Sequence, residues 1–154
     1  MSRLRKIAFG SALVVFAAAA TFAAPQSPGQ GTHAFAQSLV NQLHSAHPEF
    51  SGIGISAVIP GKGCYGLAST DKTDIGTKCE SADVAPLRTG RASVATEGKN
   101  LDISLPLHDA SGKMVGVIGI ETAPGAGRAA TLAKVRAAVH QVERQIPSKA
   151  KLIS

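Results

Sequence analysis

The sequence is poor in aromatic residues: its 154 residues include no tryptophan, one tyrosine and five phenylalanines. Its two cysteines do not form a C-x-x-C pair, so the usual motifs for thiol redox exchange, zinc ligation and covalent haem attachment are absent. No G-x-S-x-G nucleophile elbow occurs, and the ten acidic residues are too scattered to indicate the paired carboxylates of a glycosidase. These absences argue against an enzyme. The scarcity of aromatic side chains also argues against a nucleic-acid partner.

The first residues have the organisation of a secretory signal peptide. Three basic residues precede an apolar run from residue 7 to 20, and a small-x-small cleavage site ends at Ala23. The apolar run is shorter than the about 20 residues that a membrane-spanning helix needs. No cysteine follows the cleavage site, as one would in a lipoprotein. We therefore predict a signal peptide (1–23), a flexible lead-in (24–31) and a single domain (32–154) that is periplasmic or secreted.

The basic character of the chain is partly a property of this leader. Removing it takes away three basic residues and no acidic one, so the formal net charge falls from +6 to +3. Much of the remaining positive charge lies near the C-terminus, on Arg128, Lys134, Arg136, Arg144, Lys149 and Lys151. The solvated side of an amphipathic helix is the favoured interpretation. A surface for acidic partners or a membrane is the alternative.

Both cysteines, Cys64 and Cys79, belong to the predicted mature domain. In an oxidising compartment such a pair is expected to form a disulfide. Closing a loop of this size stabilises a fold by about 3 kcal/mol when the native geometry is unstrained. The predicted bond would tie the start of the second strand to the loop that follows it.

Hydrophobic periodicity predicts a helix, two strands, a short helix, three strands and a last helix. The first helix, capped by Thr32, would bury Phe35, Leu39, Val40, Leu43 and Ala46. The strands are expected over residues 53–59, 64–69, 91–96, 101–108 and 114–120, and the short helix over 82–87. The last helix, stopped by Pro147, would bury Leu132, Val135, Val139, Val142 and Ile146. This order predicts the α+β class, with a five-stranded antiparallel sheet flanked by N- and C-terminal helices.

The stretch LDISLPLHDASGKMVGVIGIE, residues 101–121, predicts a hairpin most clearly. Apolar and polar residues alternate in its first half, as in a strand with one buried face, and HDASGK supplies the turn. MVGVIGI is almost entirely apolar, which is typical of a central strand covered on both faces. Together with the strand and turn pattern of residues 53–76, this hairpin resembles the PAS-like extracellular sensor domains of the Cache (PDC) superfamily. The resemblance extends from about Phe35 to Ile146.

The resemblance implies an exported sensor-like module that binds a small molecule, alone or for a membrane receptor. In Cache-like domains the ligand lies between the sheet and the connection from the second to the third strand. Cationic and hydroxyl side chains there commonly hold small carboxylates, because an arginine fork bonds a carboxylate bidentately. The residues that match this role are Ser69, Thr70, Arg88, Arg91 and His108. The aromatic and aspartate motif of the amino-acid-binding members is not visible, so the ligand's identity stays open.

Other interpretations remain open. Residues 61–66 match G-x-G-x-x-G, but no helix start follows them, so a hairpin turn is favoured and no cofactor is expected. His44 and His47 lie three residues apart, without an evident carboxylate to complete a metal site. A ligand-free interaction or homodimerisation module, which would use the apolar face of the last helix, is the main alternative. A small exported enzyme is a weaker one.

Overall fold

The computed structural model describes residues 33–154, so the predicted signal peptide, lead-in and Thr32 cap lie outside the described residues. A short 3-10 turn, Lys72–Asp74, follows the second strand. The helices and strands, in chain order, are α1 (Ala34–Ala46), β1 (Phe50–Ile59), β2 (Gly63–Ser69), α2 (Ser81–Thr89), β3 (Ser93–Glu97), β4 (Asn100–His108), β5 (Met114–Thr122), α3 (Arg128–Glu143) and α4 (Lys149–Leu152). Within residues 33–154, no helix combines the length and apolar character that a membrane crossing requires.

The five strands form one sheet in the order β2-β1-β5-β4-β3, and every neighbouring pair is antiparallel. The predicted α+β class with a five-stranded antiparallel sheet and flanking helices is confirmed. β5 lies in the centre of the sheet, as its apolar run predicted. The hairpin of β4 and β5 pairs Leu101 with Thr122 and His108 with Met114 at its two ends.

The hydrophobic core lies on one face of the sheet, beneath α1 and α3. Ile55 of β1 and Ile118 of β5 are cross-strand partners, and both are fully buried in one cluster with Leu39 of α1 and Val135 of α3. Because side chains alternate across a strand, the positions between these isoleucines point to the opposite face. Among residues 33–154, the residues that connect β2 to β3 cover this second face, and the candidate site lies there.

Several element boundaries differ from the prediction for local reasons. β1 begins earlier, at Phe50, because that ring is fully buried and stacks on the His47 imidazole with centroids 4.8 Å apart. β3 begins later, at Ser93, because Gly90 ends α2 with φ of 65°, the left-handed conformation that suits glycine. α3 ends at Glu143, before Ile146, although Ile146 is fully buried as expected.

The predicted disulfide is confirmed: Cys64 and Cys79 are bonded, and their Cα atoms are 5.3 Å apart. The backbone reinforces the link, since the Cys79 N–H donates to the Cys64 carbonyl at 3.1 Å. Tyr65 and Lys78 form an isolated antiparallel bridge beside the disulfide. The bond therefore fastens the connection after β2 back onto the edge of the sheet.

Gly66 allows this connection to lie directly on β2. A Cβ atom at Gly66 would stand 2.5 Å from the carbonyl oxygen of Asp74, a backbone atom that cannot rotate away. We expect Gly66→Ala to lower the free energy of unfolding by about 1–3 kcal/mol, as overpacking does. Gly54→Ala is the matched control, because a Cβ there meets nothing nearer than 3.9 Å. Urea denaturation measures both; equal losses in the two variants would contradict this account of Gly66.

Candidate functional site

A cavity of about 570 Å³ lies between the second face of the sheet and the β2–β3 connection, residues 70–92. Its floor consists of small residues from three strands, Gly52, Gly54 and Ser56 of β1, Gly66 and Ala68 of β2, and Gly119 of β5, and Ser104 of β4 is the cross-strand neighbour of Gly119. Its walls carry seven carboxylates, from Asp71, Asp74, Glu80, Asp83, Glu97, Asp102 and Glu121. We call it the acidic cavity.

Two glycines of the floor stand at positions where a Cβ atom would fit. Ideal Cβ atoms at Gly54 and Gly119 would meet nothing nearer than 3.9 and 3.8 Å, respectively, so packing against neighbours does not require glycine at either position. Neither glycine has a positive φ, so backbone conformation does not require it either. The two glycines therefore keep the floor free of side chains at positions where a Cβ would make only ordinary van der Waals contacts.

The wall of the cavity is held in place by hydrogen bonds from the sheet. Ser69 at the end of β2 donates its hydroxyl to the Asp74 carboxylate at 3.1 Å, and its oxygen accepts the Asp71 N–H at 3.0 Å. The Ser104 hydroxyl of β4 donates to the Asp83 carboxylate of α2 at 3.3 Å. The 3-10 turn and α2 are therefore each attached to the sheet through a serine hydroxyl and a carboxylate.

Negative charge is concentrated in this cavity. Burial raises the pKa of Asp83, and the carboxylates of Glu80 and Asp74 add to the effect, while the hydrogen bond from Ser104 opposes it. Among the described residues that line the cavity, Lys78 alone is basic.

Asp102 of β4 lies directly opposite Glu121 of β5, so two like charges are cross-strand partners. Burial raises the pKa of Asp102, and nearby carboxylates, Glu97 first among them, raise it further. Ionised Asp102 is thus held in an unfavourable environment.

Because the pKa of Asp102 is raised in the folded state, its ionisation destabilises the fold. As pH rises above the ordinary value of 3.8, the unfolded chain ionises before the folded one, so ionisation of Asp102 lowers stability through that window. We expect Asp102→Asn to raise the free energy of unfolding at pH 7 by about 0.2–1 kcal/mol. The gain should disappear below pH 3.8, where Asp102 is protonated in both states. Urea unfolding at several pH values measures it.

Asp109→Asn is the matched control of opposite sign. The Ser111 hydroxyl and the N–H groups of Lys113 and Ser111 hold the pKa of Asp109 below its usual range. Its ionised form therefore stabilises the fold at pH 7, and the substitution should lower stability there. A loss of stability at pH 7 in Asp102→Asn would contradict the electrostatic description of the acidic cavity.

The structure does not bring the five site residues proposed from sequence into one cavity. Ser69 and Thr70 line the acidic cavity. Arg91 and His108 line a different cavity of about 550 Å³, which lies on the opposite face of the sheet between β4 and α3. Arg88 is exposed on the last turn of α2 and lines neither of these cavities. The pairing of β4 with β5 shifts register between Leu107 and His108, which is where the His108 ring meets α3.

His108 and His140 flank a buried carboxylate, that of Glu143, which sequence reasoning did not select. One Glu143 carboxylate oxygen accepts the His108 N–H at 2.9 Å and lies 2.8 Å from the His108 ring nitrogen Nδ1. The other oxygen lies 2.7 Å from Nδ1 of His140. Within residues 33–154, no group of three histidine, cysteine or carboxylate side chains is arranged to hold a metal ion. The Glu143 carboxylate is thus the hydrogen-bond partner of both imidazoles.

A third, larger groove of about 680 Å³ runs beside α1 and shares Ser69 and Thr70. Its central polar side chain, Gln37, is held by its neighbours. The Gln37 amide donates to the Ser69 carbonyl at 3.1 Å and accepts the Ser69 N–H at 3.2 Å, and it also donates to Asn41 at 3.0 Å. His33 also lines this groove, and its buried ring nitrogen Nδ1 has no hydrogen-bond partner within residues 33–154.

Sequence reasoning missed the main acidic residues of the site, although two signals were present. Asp102 occupies a polar position in the alternating pattern of β4, so its placement opposite the core face follows from periodicity. Asp83 lies in the first turn of α2, where a negative charge is favourable for the helix itself. Their proximity to Glu121 depends on the strand order, which the sequence alone does not reveal.

No family model matches the chain, and no curated protein matches it in sequence. Among solved structures, the type II free methionine-R-sulfoxide reductase from Thermoplasma acidophilum is 17% identical, with a TM-score of 0.44 over 59% of this chain and 77% of that one. A domain described as an IclR-family transcriptional regulator is 13% identical, with a TM-score of 0.48 over 79% of this chain and 94% of that one. At these identities and TM-scores, neither neighbour's function is carried over to this chain.

Proposed function

We propose that this protein is a small-molecule-binding module of the exported, PAS-like sensor type and that the acidic cavity is its binding site. The observation that carries the proposal is the position of the cavity, between the sheet and the β2–β3 connection. This is where the resemblance to Cache-like domains implies a ligand. At about 570 Å³ the cavity also falls within the about 300–1,000 Å³ typical of small-molecule sites.

The types of residue that form the floor and the wall of the cavity support its role as a binding site. Glycines leave the floor open where side chains would fit, at Gly54 and Gly119. Serine hydroxyls at Ser69 and Ser104 fix the wall above it. A module whose β2–β3 connection served only to cover the sheet would gain stability from larger apolar residues at those glycines.

The cavity around Arg91 and His108 is the place where an anionic ligand would meet cationic groups. There, however, the Glu143 carboxylate lines the cavity and already contacts His108 and His140. An anion would approach this carboxylate without displacing it, which costs electrostatic energy. The acidic cavity is therefore the better-supported site.

The interaction-module alternative receives less support from the packing. The apolar stripe of the last helix, which would have supplied a dimer surface, is used within the chain: Val135, Val139 and Val142 are at most 3% exposed. Ile146, just beyond the helix, is fully buried as well. Little of this face is left for a second copy.

Placement outside the cytoplasm, in the periplasm or secreted, belongs to the same proposal. The bond between Cys64 and Cys79 supports it, since such bonds persist mainly in oxidising compartments. The signal-peptide pattern of residues 1–23 points the same way.

A thermal-shift screen of the purified, oxidised protein tests the binding function. The panel should contain small amines, amino acids, organic acids, sugars and purines. A ligand at a hundredfold excess over its Kd stabilises the folded state by about 2.7 kcal/mol. At least one class is expected to raise the melting temperature in a dose-dependent way. A flat response across the whole panel would overturn the proposed function.

A further inference from the structure

We infer that the ligand of the acidic cavity is a small organic cation, such as a protonated or quaternary amine. This inference rests on the proposed function, because it assigns the charge of the ligand at that same site. It departs from the carboxylate that the arginine and histidine residues led the sequence analysis to expect.

The first argument is the direction from which the carboxylates reach the cavity. Asp102 and Glu121 rise from the floor on β4 and β5, and Asp83 comes from α2 on the other side. Because they belong to three separate elements, their charges converge on the space between the sheet and α2. A cation placed there would be attracted to all three, whereas a carboxylate would be repelled by each.

The second argument is that the protein supplies little compensation for this charge. Within residues 33–154, the salt bridges join other residues, and none involves Asp83, Asp102 or Glu121. Asp83 has its hydrogen bond from Ser104, and Glu121 accepts one from the Asn100 amide at 2.8 Å.

Asp102 differs from the other two carboxylates. Burial and neighbouring carboxylates raise its pKa, and no hydrogen bond from residues 33–154 offsets them. A like-charge pair kept across adjacent strands costs stability, and such costs are typical of functional positions. We therefore assign Asp102 as the principal anchor of the ligand cation.

The third argument separates an organic cation from a metal ion. A cavity of about 570 Å³ is far larger than one ion with its ligands. No trio of histidine, cysteine or carboxylate groups within residues 33–154 is arranged to hold a metal. Between the carboxylates, the floor is made of glycine, alanine and serine, which suits the body of an organic molecule.

Matched compounds test the charge directly by isothermal titration calorimetry and thermal shift. Choline is compared with its neutral isostere 3,3-dimethyl-1-butanol, and 1,4-diaminobutane with 1,4-butanediol; succinate and acetate represent carboxylates, and Mg²⁺ and Ca²⁺ represent metals. We expect the amines to bind and their neutral isosteres and the carboxylates to bind at least tenfold more weakly. Asp102→Asn should weaken amine binding more than tenfold while raising the melting temperature of the free protein.

Glu49→Gln is the control for loss of one negative charge, because Glu49 pairs with Lys134 at 2.6 Å and does not line the cavity. It should leave amine affinity unchanged. Binding of carboxylates or neutral compounds in preference to amines would overturn the charge assignment while leaving the binding function intact. Stabilisation by Mg²⁺ or Ca²⁺ alone, lost in Asp102→Asn, would replace the organic cation by a metal. No binding by any compound would overturn the proposed function and this inference together.

Discussion

Replacing Gly54 by phenylalanine is expected to weaken ligand binding at least a hundredfold, which corresponds to about 2.7 kcal/mol. Gly54 lies on β1 at the floor of the acidic cavity, and a Cβ there would meet its nearest neighbours at 3.9 Å, an ordinary van der Waals contact. A phenyl ring at this position would occupy the volume that the ligand needs. Calorimetric titration of the best compound from the screen measures the loss.

The same substitution should change the fold little. Phenylalanine favours strands more than glycine does, so the free energy of unfolding should stay within about 1 kcal/mol of the original. Val58→Phe is the matched control. Val58 lies four residues further along the same strand and on the same face, but it does not line the cavity and is 41% exposed. Unchanged affinity in a folded Gly54→Phe protein would place the binding site elsewhere.

Removing the disulfide is expected to lower the free energy of unfolding by about 3 kcal/mol. The bond between Cys64 and Cys79 closes a loop with a sequence separation of 15, so reduction releases much conformational freedom in the unfolded chain. The double variant Cys64→Ala/Cys79→Ala tests this by urea denaturation. The reductant dithiothreitol provides the internal control: it should destabilise the original protein and leave the double variant unchanged.

The same bond matters for the site, because it anchors the connection that forms the cavity wall. Without it, the backbone contact from Cys79 to Cys64 and the bridge between Tyr65 and Lys78 hold that segment to the sheet edge. Ligand affinity should therefore fall in the double variant as well. A loss of stability below about 1 kcal/mol would show that the segment is fixed by its other contacts.

The fold was largely predictable because it follows from local patterns. Alternation from Leu101 to His108 and the apolar run of β5 gave the hairpin and the central strand. The errors arose where tertiary contacts decide, as at Phe50, which extends β1 because its ring is buried. The short helix α4 was missed because Pro147 read as a stop, although Ser148 then caps one more turn.

The site was much less predictable, because it depends on which strands become neighbours. Periodicity tells which residues of one strand share a face, but it does not reveal that Asp102 will face Glu121. His108 and Arg91 were grouped with Ser69 by their chemistry, whereas the register shift after Leu107 places His108 on the α3 side. The arginine and histidine residues led to the prediction of an anionic ligand. The carboxylates around the cavity are far apart in the sequence, so they form no recognisable motif.

The most direct measurement of the central claim is an ¹H–¹⁵N NMR titration of the oxidised protein with the tightest compound from the screen. The account predicts that the backbone amides of Gly54, Gly119 and Asp83, around the acidic cavity, shift most. The amides of Arg91 and His108, on the opposite face of the sheet, should remain unmoved. Shifts confined to Arg91 and His108, with Gly54 and Gly119 unchanged, would contradict it.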